Sequence, residues 1–374
     1  MNCYKSTEKL FTPGPVEIPE EIRAILGAQI IHHRTPEFKK ALIDTRNLFK
    51  KLISSESDNF VFFASSGTGA MEAAVINFFN PGDKVLVLNG GKFAERWLEL
   101  CKTYGLDVVD FKVEWGETYD KEALKGAIEK ENVKGVFIQI SETSTATYHD
   151  PKFIGSLLKD KDILLVADAI TALGTYEIKP EEDGIDILVG GSQKSFMLPP
   201  GLSMLWFSEK ASKRLNPKGY YFNISKELKK QIDGQTAYTP AIPIILGLQK
   251  SLEMILNEGI KNIEKKTTAI SKATLKTFEK MGFKAFSKNP SISVSAIETP
   301  NMDAENFRKE LLKLGIRTAG GQDKLKGRIF RVSHMGQIDA MSTFSVIQAA
   351  SIVTGTSKDV LEEYINTVKA LCVD

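Results

Sequence analysis

The sequence is short of the features that announce a membrane protein, a metal centre or a nucleic-acid binder. Only three cysteines and four histidines occur in 374 residues. Cys3, Cys101 and Cys372 are scattered, with no metal or redox spacing, which excludes a thiol-built site. Acidic and basic residues nearly cancel, 47 against 49, for a formal net charge of +2. They are interspersed, so no face is marked for nucleic acid or a membrane surface. No apolar run reaches a spanning length, and no repeat or low-complexity segment is visible. The first residues lack the apolar core of a signal peptide, so a cytoplasmic protein is expected. What is present is a chain 42% hydrophobic, long enough for a large core and two domains, with a small molecule as the expected substrate.

Nucleotide fingerprints are incomplete as well. Phe62-Phe63-Ala64-Ser65-Ser66-Gly67-Thr68-Gly69 passes from an apolar strand through a small-residue turn into an alanine-rich helix. The Lys-Ser/Thr pair of a nucleotide loop is missing, the turn is too short for that motif, and the glycine spacing does not fit a dinucleotide fingerprint. The turn keeps a helix start with free backbone N–H groups, which is enough for a phosphate monoester.

From Phe60 to about Ser208 apolar strands alternate with helical segments, the pattern of a mainly parallel sheet covered by helices on both faces. In such sheets the ligand crevice lies beyond the carboxyl ends of the strands. One strand, Ile187-Leu188-Val189-Gly190-Gly191, runs out into Ser192-Gln193-Lys194-Ser195 and sets Lys194 at that edge. Another, Ile163 to Ile170, carries Asp168 near its end, where a buried charge needs a cationic partner unless it caps the next segment. Pyridoxal phosphate (PLP) requires a Schiff-base lysine and an acid that keeps its ring nitrogen protonated, and Lys194 with Asp168 meets both demands. A third strand end carries Ser141-Glu142-Thr143-Ser144-Thr145-Ala146, hydroxyls that can bond a ligand or equally cap a neighbouring element. Phe93 follows the strand at Val87 and reads either as a ring at the crevice or as core.

Together and in this order, from Phe11-Thr12-Pro13-Gly14-Pro15 to Phe330-Arg331-Val332-Ser333-His334-Met335-Gly336, these stretches resemble the class V aminotransferases of fold type I. Ser192-Gln193-Lys194 and His32-His33-Arg34-Thr35-Pro36-Glu37-Phe38 look most like the alanine-glyoxylate and serine-pyruvate branch. The resemblance implies an α/β fold with a mainly parallel seven-stranded sheet and a smaller C-terminal α+β domain. On this chain the expected division is an arm over 1–18, a large domain over 19–258 and a small one over 259–374. It further implies that Ser66, Gly67, Thr68 and Gln193 hold the PLP phosphate, that Phe93 and Ile170 sandwich its ring, and that Thr143 bonds its phenolic oxygen. Arg331 would grip the substrate carboxylate, with Gly14 of the arm nearby. Tyr238 and Thr239, in an otherwise plain connector loop, would reach the neighbouring subunit's phosphate, which makes a homodimer the expected assembly.

Arg328 and Arg331 stand an odd number of positions apart, so on one strand they face opposite ways and Arg328 is expected in solvent. Arg34 is a second, weaker anion contact, and His32 and His33 are expected to be structural. Two departures concern ligand contacts: Ala146 stands where many relatives have glycine, and Thr68 where some have histidine. The expected reaction moves an amino group from alanine, serine or aspartate to glyoxylate or pyruvate. Alternatives are a 2-aminoethylphosphonate-pyruvate aminotransferase, a cysteine desulfurase, for which Cys372 is poorly positioned, and a non-catalytic PLP-binding protein.

Overall fold

The computed structural model describes residues 8–299 and 302–372, so Cys3 lies outside the described residues. Its centre is a seven-stranded sheet in the spatial order Phe60–Phe63, Ser203–Phe207, Ile187–Gly191, Leu164–Asp168, Gly135–Gln139, Lys84–Asn89, Asp107–Lys112. All strands run parallel except Ser203–Phe207, which is antiparallel to both neighbours. The inner strands are buried along their whole length, as parallel strands covered on both faces must be.

Side-chain alternation divides the sheet into two cores. Phe60, Phe62, Leu86, Leu88, Ile138, Leu165 and Leu188 pack on one face with the helices Pro36–Leu52 and Ile242–Glu258. Val61, Phe63, Val85, Val87, Val166 and Val189 pack on the other with Gly67–Phe78 and Lys92–Thr103. The helix Pro36–Leu52 shows why such segments form: Thr35 caps it by accepting the Phe38 N–H, Pro36 opens it, and Phe38, Leu42, Phe49 and Leu52 fall on one buried stripe.

A second, four-stranded antiparallel sheet joins Lys284–Ala285, Val294–Glu298, Ile329–Ser333 and Ala319–Gly320, with its own core around Phe278, Phe283, Phe307 and Phe330. The arm begins there, since Lys9–Leu10 pairs in parallel with Ile316–Arg317 and Phe11 is buried in that core. Val16 then belongs to the core of the large sheet, so the arm crosses from one sheet to the other. Among the described residues no helix is long and apolar enough to cross a membrane.

Two expectations need correction. Strand and helix do not alternate throughout: only turns link Asp168 to Ile187, because that return packs so closely on the helix Pro151–Leu158 that a Gly155 Cβ would lie 2.2 Å from the Asp183 carbonyl oxygen. The strand expected at Ile292 starts at Val294 instead, because the Ile292 N–H is taken by the Tyr176 hydroxyl at 2.8 Å and Ser291 by the Ser141 hydroxyl at 2.7 Å.

Candidate active site

Because six of the seven strands run the same way, their carboxyl ends share one edge, and the polar residues of interest gather there. Lys194 leaves the Ile187–Gly191 strand through a short turn and is buried, its Nζ donating to the Pro13 carbonyl of the arm. The arm lies directly on it, for a Cβ on Gly14 would come within 2.6 Å of Lys194 Cδ. Gly14 has φ +108°, so only glycine both tolerates this backbone and clears the lysine. Burial first, and then the Arg331 charge, push the Lys194 pKa down to about 8, while Asp168 opposes them.

Asp168 ends the adjacent strand and is also buried. One carboxylate oxygen accepts the Ile170 N–H at 2.9 Å, so the residue does cap the turn that follows, without leading into a helix. Burial pushes its pKa up to about 7 with Glu142 adding, against the Ile170 N–H, Arg96 and Lys194.

The turn Ser66-Gly67-Thr68 begins the helix Gly67–Phe78, and Ser66 makes no side-chain cap there. Its glycine is needed: a Gly67 Cβ would meet Ile170 Cδ1 at 2.4 Å, and a Cβ on Gly191 would lie 3.6 Å from Gly67 Cα. The strand ends bearing Ile170 and Gly191 therefore close on the helix start. Among the described residues, the buried Oε1 of Gln193 and both amide atoms of Gln139, whose residue is in register with Asp168, have no partner.

Thr143 bonds the Thr171 hydroxyl at 2.7 Å, and its carbonyl accepts from Arg331 Nη1 at 2.8 Å. Arg331, buried on the Ile329–Ser333 strand, also donates Nε and Nη2 to the Gly320 carbonyl at 3.0 and 2.8 Å, which fixes the plane of its fork. Burial pulls its pKa down to about 10, with Arg308 adding and Glu142 opposing. Arg328 lies just before that strand and pairs with Glu298 at 2.5 Å on the surface, as alternation requires.

Other members of the hydroxyl cluster do structural work. Glu142 accepts the Phe93 and Ala94 N–H groups, each at 3.1 Å, and Ser144 accepts that of Lys92 at 3.0 Å, so this segment caps the helix Lys92–Thr103 from across the sheet. Phe93 is thereby held half-buried at the helix start, with the Arg96 guanidinium over its ring at 4.9 Å. Arg96, which the sequence reading missed, also donates to Thr68 Oγ1 at 3.2 Å. Its signal was available, since it stands three residues beyond Phe93 and so shares its helix face.

The single chain does not bring every expected residue to this edge. The Tyr238 hydroxyl bonds the Tyr220 carbonyl at 2.8 Å and Lys226 at 3.0 Å, and Thr239 lines a separate small pocket with Phe62 and Leu202. Arg34 is exposed, beside a His32–His33 ring contact of 4.6 Å.

The sequence profile of the class V aminotransferases matches residues 23–340. The chain belongs to that family. An L-aspartate–glyoxylate aminotransferase of Paracoccus denitrificans is 32% identical over 93% of this chain and 91% of its own length. A protein named soluble hydrogenase 42 kDa subunit, of Anabaena cylindrica, is 34% identical over 92% of each chain. Among solved structures, an aspartate aminotransferase of subgroup IV from Thermus thermophilus superposes with a TM-score of 0.88 at 33% identity, over 95% of this chain and 99% of that one.

This class V aminotransferase is therefore a transaminase of fold type I, and membership implies PLP as its cofactor. The residues present fit that group. A buried carboxylate suits a ring nitrogen, a buried lysine suits an aldehyde, and a glycine-cleared helix start suits a phosphate.

Proposed function

We propose that this aminotransferase takes the amino group of aspartate, serine or alanine and passes it to glyoxylate or pyruvate, working in the cytoplasm as a homodimer with shared active sites. The observation that carries the reading is the buried pair Lys194 and Asp168 at one sheet edge, beneath the arm and beside the fixed fork of Arg331. The choice of substrates is supported by the relative that acts on aspartate and glyoxylate. Homodimerisation is supported by Tyr238, whose hydroxyl bonds the Tyr220 carbonyl and Lys226 amid the exposed rings of Tyr220 and Tyr221. The cytoplasmic reading is supported by free thiols at Cys101 and Cys372. We retain an arm over 1–18, a large domain over 19–258 and a small one over 259–374, a division supported by the separate core of the antiparallel sheet.

When bound, the cofactor supplies an electron sink for the substrate Cα. The rest is work for the chain. Asp168 holds a proton at the ring nitrogen, and burial makes its ionised form dependent on that cationic partner. Lys194, lowered to about 8, is neutral in an appreciable fraction near neutrality and can move a proton to and from the substrate Cα. Arg331 orients the substrate by its carboxylate, its plane set by two backbone carbonyls. Pro13 and Gly14 cover Lys194 and keep water from it. Phe93 and Ile170 would bracket the ring, Thr143 would bond its phenolic oxygen, and Ser66, Gly67, Thr68 and Gln193 would take the phosphate, joined by Tyr238 of the partner subunit and Thr239 of the partner subunit.

Steady-state rates with aspartate, serine and alanine against glyoxylate and pyruvate test the reading. At least one pair should turn over well, while 2-aminoethylphosphonate should not. Turnover with the phosphonate amine alone would replace this assignment.

A further inference from the structure

Arg96 stands apart from the roles assigned above. It is half-buried on the helix Lys92–Thr103, and among the described residues it forms no ion pair with a carboxylate. A partly desolvated guanidinium without a counter-ion is costly unless something anionic completes it. Its two recorded contacts say where that anion belongs. One Nη donates to Thr68 Oγ1 at 3.2 Å, at the opening turn of the helix whose start is cleared by Gly67, and the guanidinium carbon lies 4.9 Å from the centre of the Phe93 ring. Four of its five donor hydrogens remain for a ligand.

The position is fixed from behind. Glu142 and Ser144 cap the helix that carries Arg96, so the side chain starts from a backbone anchored to the same strand end as Thr143. Its charge reaches the centre of the site: burial dominates the altered pKa values of both Asp168 and Lys194, and Arg96 is among the charges acting on each. A cation at this point meets a helix dipole of the same sign at the start of Gly67–Phe78, a repulsion of roughly 0.3–1 kcal/mol that an anion between them would relieve.

The geometry points to Arg96 as a ligand of the cofactor's phosphate group, reaching the Ser66–Thr68 turn through Thr68 while its guanidinium lies over the Phe93 ring. The inference rests on the reading of that turn as the phosphate site.

The test is binding, measured by tryptophan fluorescence on the full-length protein after the cofactor has been stripped, with PLP and with pyridoxal, which lacks the phosphate. Wild type should prefer PLP strongly. Arg96→Gln should weaken PLP on the order of tenfold to a hundredfold, the loss of a charge-assisted hydrogen bond, and leave pyridoxal unchanged. Arg96→Lys keeps the charge without the fork, provides a folded variant should the glutamine fail to fold, and should weaken PLP by a smaller factor. Equal weakening of PLP and pyridoxal would overturn the inference and leave Arg96 as a support for Phe93. Unchanged PLP affinity in both variants, or an effect confined to the KM for aspartate, would also overturn it. Wild type binding the two aldehydes equally would instead remove the phosphate turn itself.

Discussion

Burial moves Asp168 and Lys194 each toward its neutral form, the carboxyl up to about 7 and the amine down to about 8. Replacing Asp168 by Asn keeps the shape and removes the charge that holds a ring proton. The Asp168→Asn protein should therefore bind PLP yet lose transamination by roughly a thousandfold. Its stability without cofactor should move the other way. Because the folded pKa of Asp168 lies above the unfolded one, its contribution is complete below the usual carboxylate range and is lost as pH rises through about 7. The cofactor-free variant should thus melt above cofactor-free wild type near pH 8, with the gap closing toward about pH 4. A gap that widens on acidification would contradict the burial argument. At Arg331, lysine keeps the charge but cannot span both the backbone carbonyls and a carboxylate, so Arg331→Lys should raise the amino-acid KM about tenfold to a hundredfold with the bound cofactor spectrum unchanged. Arg328→Lys, on a surface pair with Glu298, is the matched control and should be close to silent. The reverse pattern would move the carboxylate site to Arg328.

The helix Lys92–Thr103 shows how an element can be built for function by residues far from it in sequence. Gly91 precedes it without a side-chain cap, and a Cβ there would lie 2.4 Å from Glu142 Cδ, so the capping carboxylate occupies the space a side chain would need. Gly91→Ala should displace Glu142, cost about 2 kcal/mol in a denaturant melt, and weaken PLP binding through Phe93 and Arg96. Gly126→Ala, on a helix where a new Cβ meets nothing within 4 Å, should instead stabilise by about 0.5–1 kcal/mol. An undiminished Gly91→Ala protein would show that the cap can rearrange freely. This element also marks the limit of what could be read from sequence. Strand ends, the Lys194 and Asp168 positions and the odd step between Arg328 and Arg331 follow from local periodicity, and the structure shows those strands. Glu142 as a cap for a helix some fifty positions earlier in the chain depends on which strands are neighbours, which periodicity does not contain. Ala146 is intermediate: its φ of +54° lies in the region glycine adopts most freely, and a non-glycine residue there gives no sign of that conformation in the sequence.

On the scale of the molecule, the chain gathers one set of residues at a sheet edge and leaves another, around Tyr238, among exposed rings. The sheet order sets Ser66, Phe93, Thr143, Asp168 and Lys194 along one edge, and the arm ties that edge to the antiparallel sheet bearing Arg331. Tyr238 remains with the solvent-facing Tyr220 and Tyr221, and the Lys226 ammonium lies over two of the three rings, Tyr220 and Tyr238. If two copies exchange these loops, each site takes Lys194 from one protomer and Tyr238 from its partner, and the two residues can be removed separately. Lys194→Ala should abolish activity outright, and Tyr238→Ala should do so at limiting PLP. In a hybrid dimer of the two variants, one site loses both residues and the other keeps both. Random reassociation should then restore about a quarter of wild-type activity, since half the dimers are hybrids with one intact site each. If Tyr238 served its own chain's site, every site in every dimer would lack one residue, and mixing would restore nothing. Native mass spectrometry of the same mixture checks that hybrids form, so a mixture rich in hybrids and still inactive would refute shared sites directly.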